Sequence, residues 1–188
     1  MNYIVLSIFW IVYCFLHSFL ADERVKSVVI HQTTLSTSAY RVVYNIFAIV
    51  TLVPIIYVQV NIQRYYLFGE SSFLKFFSYF LISGGLFIMI NCILNYFKQL
   101  SGLKKMQPVL VTTGLHSFVR HPLYLGTFIF LAGILFAFPY LSNLISFLII
   151  VSYTLLGIRL EEKKLVKEFG SSYLNYQQTV PMILPDLF

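Results

Sequence analysis

Charge is scarce in this sequence. Of its 188 residues, 11% are charged and 59% are hydrophobic. That leaves too little polar surface to cover so much apolar material in water. The composition therefore excludes a water-soluble globular protein and predicts an all-α, polytopic transmembrane helical bundle. No hydrophilic stretch is long enough to fold separately, so we predict a single domain over residues 1–188.

Cysteine and acidic residues are also few. The two cysteines, Cys14 and Cys92, each lie in an apolar run, and their spacing matches no metal site, so no metal is predicted. Thirteen basic residues outnumber seven acidic ones. In a membrane protein such an excess is typical of the cytoplasmic flanks of spans, so we predict no nucleic-acid partner. The first charged residue is Asp22, which favours a retained first span over a signal peptide.

Long apolar runs predict about five spans. Three runs approach the roughly 20 residues that a span needs: 2–20, 42–60 and 73–97. The region 123–158 is too long for one helix, and a turn signal around Pro139 splits it into the two arms of a carboxyl-terminal hairpin. We expect residues 1–97 to form three scaffold spans. Residues 98–188 are expected to hold a cofactor-binding loop, the hairpin and a cytoplasmic tail.

The distribution of Lys and Arg predicts the orientation. Eleven of the thirteen basic residues fall on one side of a five-span arrangement. They are Arg24, Lys26, Arg41, Lys98, Lys104, Lys105, Arg120, Arg159, Lys163, Lys164 and Lys167. Cytoplasmic segments are enriched in such residues, so we predict an external amino terminus and a cytoplasmic tail. Four spans would place the third loop and the tail on opposite faces.

A basic motif precedes the first arm of the hairpin. Pro122 suits the first position of a helix, so we expect the helix to begin at Arg120 or His121. The free N–H groups of that helix end and the two basic side chains together form a site for an anion such as a carboxylate or phosphate. Gly126, one turn further along, leaves room for a ligand or a neighbouring helix.

An acidic pair follows the second arm. Glu161 and Glu162 lie where a carboxylate is costly unless it has a partner. Because the arms are antiparallel, we expect this pair to lie beside the basic helix start. A ligand bound there would contact positively and negatively charged side chains. The alternative is that Arg120 and His121 are interfacial anchors and the glutamates pair with basic residues one turn away. Charge and spacing leave both interpretations open.

Two motifs resemble a known family. Residues 119–126, VRHPLYLG, and 159–176, RLEEKKLVKEFGSSYLNY, with Val180, Pro181 and Pro185, resemble the isoprenylcysteine carboxyl methyltransferase family of membrane enzymes. The similarity is greatest to its small bacterial branch, which includes methanethiol S-methyltransferase-like proteins. Many relatives have a tyrosine shortly after the glycine that precedes the Arg-His-Pro motif, where this chain has His116. That departure bears on the acceptor side of the site.

The resemblance implies an S-adenosylmethionine-dependent methyltransferase whose cofactor site has a cytoplasmic mouth. It implies that Arg120, His121 and Glu162 serve catalysis. The implied cofactor contacts are Arg120, His121, Pro122, Tyr124 and Gly126 around the methionine end, and Glu161 and Glu162 around the amino or ribose groups. The adenine needs an apolar or aromatic wall, for which Tyr173 and Tyr176 or residues of the third loop, 98–122, are candidates.

The acceptor stays open at this point. The bilayer is one partner, and the acceptor is either lipophilic, such as an isoprenylcysteine carboxylate, or a small thiol. A thiol would benefit from a base, for which His17, His31 and His116 are available besides His121, although each singly is more often an ordinary interfacial histidine. Two other functions remain. One is an NADPH-dependent sterol-reductase-like oxidoreductase, because residues 169–185 share the pattern found in the tail of those enzymes. The other is a non-enzymatic scaffold or transport protein.

Overall fold

A computed structural model describes residues 2–69, 71–102 and 109–184, with residues 96–102 described as backbone only. Lys98 therefore has no described side chain, and Lys104, Lys105 and Pro185 lie outside the described residues. Within those ranges the chain is helical and contains no strand beyond one isolated bridge between Tyr66 and Tyr140. The predicted all-α fold is confirmed.

Seven α-helices occur in the described ranges. They are α1 (Tyr3–Ala21), α2 (Glu23–Thr33), α3 (Thr37–Asn61), α4 (Ser72–Gly102), α5 (Pro122–Ala137), α6 (Leu141–Phe169) and α7 (Ser171–Thr179). Four are long and apolar enough to cross a bilayer: α1, α3, α4 and α6. The apolar α5 has 16 residues and corresponds to the fourth predicted span, the first arm of the hairpin. The chain is an integral membrane protein, and α5 and α6, joined by residues 138–140, are the arms of the predicted hairpin.

Local sequence sets the helix ends. The side chains of Asn2, Asp22 and Ser36 each accept a hydrogen bond from an early backbone N–H of the helix that follows, which satisfies a donor with no partner inside the helix. Pro122 is the first helical residue of α5, the position for which proline is suited, and His121 is its N-cap, so the helix begins one residue later than the latest predicted start. The helices α2 and α7 were not predicted, because both segments are polar and lack a long apolar run.

The helix α6 is longer than the predicted second arm. That arm was expected to end at Ile158, with Arg159 opening the tail, but the helix continues to Phe169. The added residues, such as Glu162 and Leu165, are good helix formers. The helix ends at Gly170, which has φ +56° and so adopts a conformation that favours glycine. The acidic pair therefore lies within a helix instead of in a tail.

The chain separates into two units, of which the first comprises residues 1–67 and 140–150. Its core contains Leu6, Ile55, Val58 and Ile62. A row of polar side chains connects three helices. Trp10 Nε1 donates to Ser146 Oγ at 2.8 Å, the Ser146 hydroxyl donates to Gln59 Oε1 at 3.1 Å, and Gln59 Nε2 donates to Asn143 Oδ1 at 2.5 Å. Such hydrogen bonds hold helices together where apolar lipid gives little driving force for association.

The second unit comprises residues 68–139 and 151–188, and in it α5 packs closely on α4. A Cβ atom at Gly85 would lie 2.6 Å from the backbone nitrogen of Phe130 and 2.7 Å from the carbonyl oxygen of Gly126. At Gly133 it would lie 2.8 Å from the backbone nitrogen of Ile82. The two backbones therefore touch, as small residues permit in membrane helices. This packing positions the start of α5, while the single-domain assignment stays a prediction.

Candidate active site

A cavity of about 630 Å³ lies in the second unit, within the range of small-molecule sites. It is bordered by α4 at Cys92 and Ile93, the segment before α5, the first turn of α5, the end of α6, and α7. Its polar lining is His116, Arg120, His121, Tyr124, Glu161, Glu168, Tyr173 and Tyr176. The rest of its described wall is apolar and includes Ile93, Leu123 and Phe169. One cavity thus offers charged groups and apolar surface together.

Glu162 is the centre of a hydrogen-bonded cluster beside this cavity. Its Oε1 accepts from Arg120 Nε at 2.7 Å, His121 Nε2 at 3.2 Å and the Tyr173 hydroxyl at 3.3 Å. Its Oε2 accepts from Gln177 Nε2 at 3.1 Å. The contact with an ionised carboxylate places a proton on His121 Nε2, since a carboxylate only accepts. Four donors occupy Glu162, and the residue is not among those that line the cavity.

Arg120 connects this cluster to the segment that follows α7. Its Nη1 donates to the carbonyl oxygens of Gln177, at 3.1 Å, and Val180, at 2.5 Å. Its backbone N–H donates to Pro181 O at 2.9 Å, and the backbone N–H of His121 donates to Met182 O at 3.1 Å. Two amides that were expected to face an anion are thus occupied by the protein. Among the described residues Arg120 Nη2 has no partner, so it is available to a ligand at the cavity wall.

Glu161 has a different environment from its neighbour. Its Oε2 accepts from the Tyr124 hydroxyl at 3.1 Å and lies 3.9 Å from His121 Nδ1. Its side chain is 45% exposed, against 14% for Glu162, and it lines the cavity. The two carboxylates thus differ. Both oxygens of Glu162 accept hydrogen bonds from protein donors. Glu161 accepts one from the described residues, so it has lone pairs available to a ligand.

Two buried tyrosines from α7 form another part of the wall. Tyr173 and Tyr176 are 1% and 7% exposed, and their rings meet edge to face with centroids 5.9 Å apart. Burial, followed by the nearby Glu162 carboxylate, raises the pKa of Tyr173. Burial likewise raises the pKa of Tyr176, against the opposing effect of Arg120. Both hydroxyls are therefore protonated at neutral pH and act as donors.

His116 lies in a short 3₁₀ helix, Gly114–Ser117, that precedes α5. Its half-buried ring lines the cavity. Burial first, and then the neighbouring His121, lower the pKa of His116 below its usual range, so the ring is neutral at pH 7. The Tyr176 hydroxyl donates to the His116 carbonyl oxygen at 2.5 Å, which fixes the backbone at this position.

The structure brings most of the predicted site residues together. Of these, Arg120, His121, Tyr124 and Glu161 border the cavity with Pro122, while Glu162 lies directly behind them. Gly126 is placed differently: a Cβ there would lie 3.0 Å from the Gly85 carbonyl oxygen, so its open face is filled by α4. Its role as a cofactor contact stays a prediction.

Two residues of the site were not predicted. Glu168 lies in the cavity wall, and its position seven residues after Glu161 puts both on one face of α6, a spacing that could have revealed it. Gln177 donates to Glu162 from α7, a helix that apolar periodicity does not detect.

The apolar helices and the charged cavity at the start of α5 define this protein as a membrane protein with a candidate small-molecule site. The chain belongs to the NnrU protein family, whose model matches residues 5–184. It is 35% identical over 119 residues to a methanethiol S-methyltransferase of Pseudomonas deceptionensis, covering 57% of this chain and 44% of that protein. The resemblance predicted from the two motifs is confirmed.

Other relatives are named for methylation of a different group. A protein-S-isoprenylcysteine O-methyltransferase of Schizosaccharomyces pombe is 37% identical over 78 residues, covering 41% of this chain and 33% of that protein. One of Saccharomyces cerevisiae is 37% identical over 84 residues, covering 44% of this chain and 35% of that protein. The chain thus spans less than half the length of these curated relatives. No solved structure matches the chain significantly.

Proposed function

We propose that this chain is an integral membrane methyltransferase that uses S-adenosylmethionine and methylates a lipophilic or small acceptor through a carboxylate oxygen or a thiol sulfur. The observation that supports it is the meeting of Arg120 and His121, at the start of α5, with Glu161 and Glu162, near the end of α6, at the edge of one cavity. The relatives named for S- and O-methylation support the same reaction class.

The residues present fit the groups of this cofactor. S-adenosylmethionine has a carboxylate, an ammonium, ribose hydroxyls and a methyl-bearing sulfonium, and when bound it supplies an electrophilic methyl group. Glu161 has the lone pairs that an ammonium or hydroxyl group needs. Arg120 Nη2 suits the carboxylate. Tyr173 and Tyr176 supply aromatic surface for a base ring.

Glu162 acts on this site indirectly. It holds Arg120 and His121 in place and is itself held by Gln177 and Tyr173. Catalysis of methyl transfer depends on placing the acceptor in line with the transferred group and on excluding water. A cluster with four donors on one carboxylate gives the rigidity that such positioning requires. We therefore assign Glu162 a positioning role and Glu161 a ligand contact.

The apolar wall of the cavity suits the acceptor. Ile93, Leu123 and Phe169 offer hydrocarbon surface beside the charged groups. A lipophilic substrate in the bilayer, or a small thiol that partitions into it, would bind such a surface through burial of apolar area.

For the orientation we propose an external amino terminus, a cytoplasmic tail and a cytoplasmic mouth for the cavity. Eleven of the thirteen basic residues fall on that side of a five-span arrangement. A cytoplasmic mouth suits a charged, water-soluble cofactor. The test introduces one cysteine at a time, Asn2→Cys or Asn175→Cys, and treats intact cells with a thiol reagent that does not cross the membrane. We expect labelling of the first variant only, and labelling of Asn175→Cys from outside would contradict the orientation.

The test of the proposed function combines binding and turnover. Purified protein is titrated by calorimetry with S-adenosylhomocysteine and, separately, with NADPH. Methyl transfer from the labelled cofactor to a prenylcysteine and to small thiols is then measured. We expect S-adenosylhomocysteine binding that Glu161→Gln weakens about 10- to 100-fold, the loss of one hydrogen bond to a charged group, while Glu23→Gln, a matched change on α2, leaves it unaltered. NADPH binding without S-adenosylhomocysteine binding would overturn the proposal in favour of a reductase.

A further inference from the structure

His116 lines the cavity, and its ring has no protein partner among the described residues. The second imidazole in the lining, His121, donates to Glu162 and lies near Glu161. Across residues 2–69, 71–95 and 109–184, which the structure describes with their side chains, no side chain or backbone group is hydrogen-bonded to the His116 ring. A ring that lines a cavity without a partner is available to a ligand.

The backbone under this ring is held firmly. Gly114 has φ +66°, which allows the chain to turn into the 3₁₀ helix. The Tyr176 hydroxyl donates to the His116 carbonyl, and the N–H groups of Phe118 and Val119 both donate to the Leu115 carbonyl. The structure thus fixes where the imidazole can reach while leaving its nitrogens unoccupied by the described residues. Catalytic groups need this combination.

The protonation state of the ring suits a base. Burial lowers the pKa of His116, with a further contribution from His121, so one ring nitrogen keeps its lone pair at neutral pH. The other titratable groups that line the cavity are Arg120 and His121 before α5, Tyr124 on α5, Glu161 and Glu168 on α6, Tyr173 and Tyr176 on α7, and Cys92 on α4. Arg120 and Glu162 are paired with each other, which limits their effect on the ring.

The two acceptor classes differ in what they need from a base. A carboxylate is ionised at neutral pH and already carries its nucleophilic electron pair. A thiol with pKa near ~8.5 is only a few per cent thiolate at pH 7. A neutral imidazole that is available in the cavity therefore serves a thiol and has no task for a carboxylate.

We infer that His116 is the general base of an S-methylation and that the acceptor is a thiol. This inference rests on the proposed function. An unprotonated nitrogen of His116 takes the thiol proton as the sulfur attacks the methyl carbon of the donor sulfonium. The new S–CH₃ bond forms as the old one breaks, and the electron pair of the old bond returns to the donor sulfur. The products are a thioether, S-adenosylhomocysteine and an imidazolium, which releases its proton to water.

The experiment compares His116→Gln with wild type and with His31→Gln, a matched change on α2 in the first unit. At pH 7 the variant at 116 should methylate an alkyl thiol whose pKa is near ~8.5, such as a cysteine-type thiol, with kcat/KM lowered about 10- to 100-fold, up to the lower limit of the usual range for general bases. The deficit should shrink as the pH rises to about 9, where the thiol ionises without help. With an aryl thiol whose pKa is below about 6, the three proteins should be equal within about twofold, because no base is needed.

Two measurements do not depend on turnover. Calorimetry should show the same S-adenosylhomocysteine affinity in all three proteins, within about threefold. In ¹⁵N NMR spectra of the S-adenosylhomocysteine-loaded wild type, the ring signals of His116 and His31 are assigned by their absence from the spectra of His116→Gln and His31→Gln. Addition of an alkyl thiol should shift the His116 signals and leave the His31 signals unchanged.

The outcomes separate the two proposals. Cofactor binding with an equal loss for alkyl and aryl thiols, or a loss that persists at pH 9, would mean that His116 has a merely structural role and would overturn the inference. Methylation of a prenylcysteine carboxylate but of no thiol would overturn it too, while leaving the methyltransferase proposal intact. Absence of any S-adenosylhomocysteine binding in wild type would remove the proposed function and the inference together.

Discussion

Arg120 Nε and Glu162 Oε1 lie 2.7 Å apart, although 42 positions separate the two residues in the chain. Their side chains are only 10% and 14% exposed, so water screens this pair little. The contact joins the start of α5 to α6, and through Arg120 Nη1 it extends to the end of α7. Loss of either partner would leave an uncompensated charge in a buried position.

The first prediction concerns the acidic pair. Glu162→Gln should lower the free energy of unfolding by about 3 kcal/mol, because Arg120 would keep its charge without a counter-charge. Glu161→Gln should change it by less than about 1 kcal/mol, since Glu161 is half exposed. Thermal unfolding of the detergent-solubilised proteins measures both. Equal losses for the two variants would show that the division of roles between the glutamates is wrong.

The second prediction concerns the contact between α4 and α5. A Cβ at Gly85 would lie 2.6 Å from a backbone atom of α5, whereas nothing described lies within 4 Å of a Cβ at Gly84. Gly85→Ala should therefore destabilise the protein by at least about 3 kcal/mol or prevent its accumulation, through overpacking. Gly84→Ala should be neutral or slightly stabilising, given the helix preference of alanine. The yield in the membrane and the thermal unfolding of the two variants measure this difference, and equal stability of Gly85→Ala and Gly84→Ala would contradict the prediction.

The third prediction concerns pH. The fold lowers the pKa of His116, so below about pH 6.5 the unfolded chain takes up a proton that the folded protein resists. Stability should therefore fall as the pH decreases from 7 to 5, and His116→Gln should reduce that fall. The melting temperatures of wild type, His116→Gln and His31→Gln at pH 7 and pH 5 provide the comparison. An acid sensitivity that is the same in all three would contradict it.

The fourth prediction uses two tyrosines with similar surroundings. Tyr176 and Tyr40 are each 7% exposed, and each donates its hydroxyl to a backbone carbonyl, that of His116 at 2.5 Å and that of Leu20 at 2.7 Å. Replacing either by phenylalanine should cost about 1 kcal/mol of stability. Only Tyr176→Phe should also lower alkyl-thiol methylation, by about 3- to 10-fold, because it releases the backbone of His116. Equal activity of both variants at room temperature would argue against this fixing role.

Apolar runs and charge positions predicted much of this fold. The place of Pro122 at the first position of a helix followed from the fixed φ of proline, and the closeness of the basic and acidic motifs followed from the antiparallel arms. The ion pair between Arg120 and Glu162 was one of two interpretations that the sequence left open. The continuation of α6 beyond Ile158 was missed because hydropathy marks where lipid ends and not where a helix ends. The environments of Glu161 and Glu162 differ because the two side chains contact different residues in the folded protein. The sequence could not predict this difference, because it shows only two adjacent glutamates.

The length of α5 has a consequence for the surrounding lipid. Sixteen residues at 1.5 Å each give a helix of about 24 Å, shorter than a hydrocarbon layer of about 30 Å. A helix of this length crosses a thicker hydrocarbon layer only where the bilayer thins or flanking residues reach the interface, each at a modest energetic cost. The acyl-chain length of a reconstituted membrane is therefore a variable to which this protein should respond.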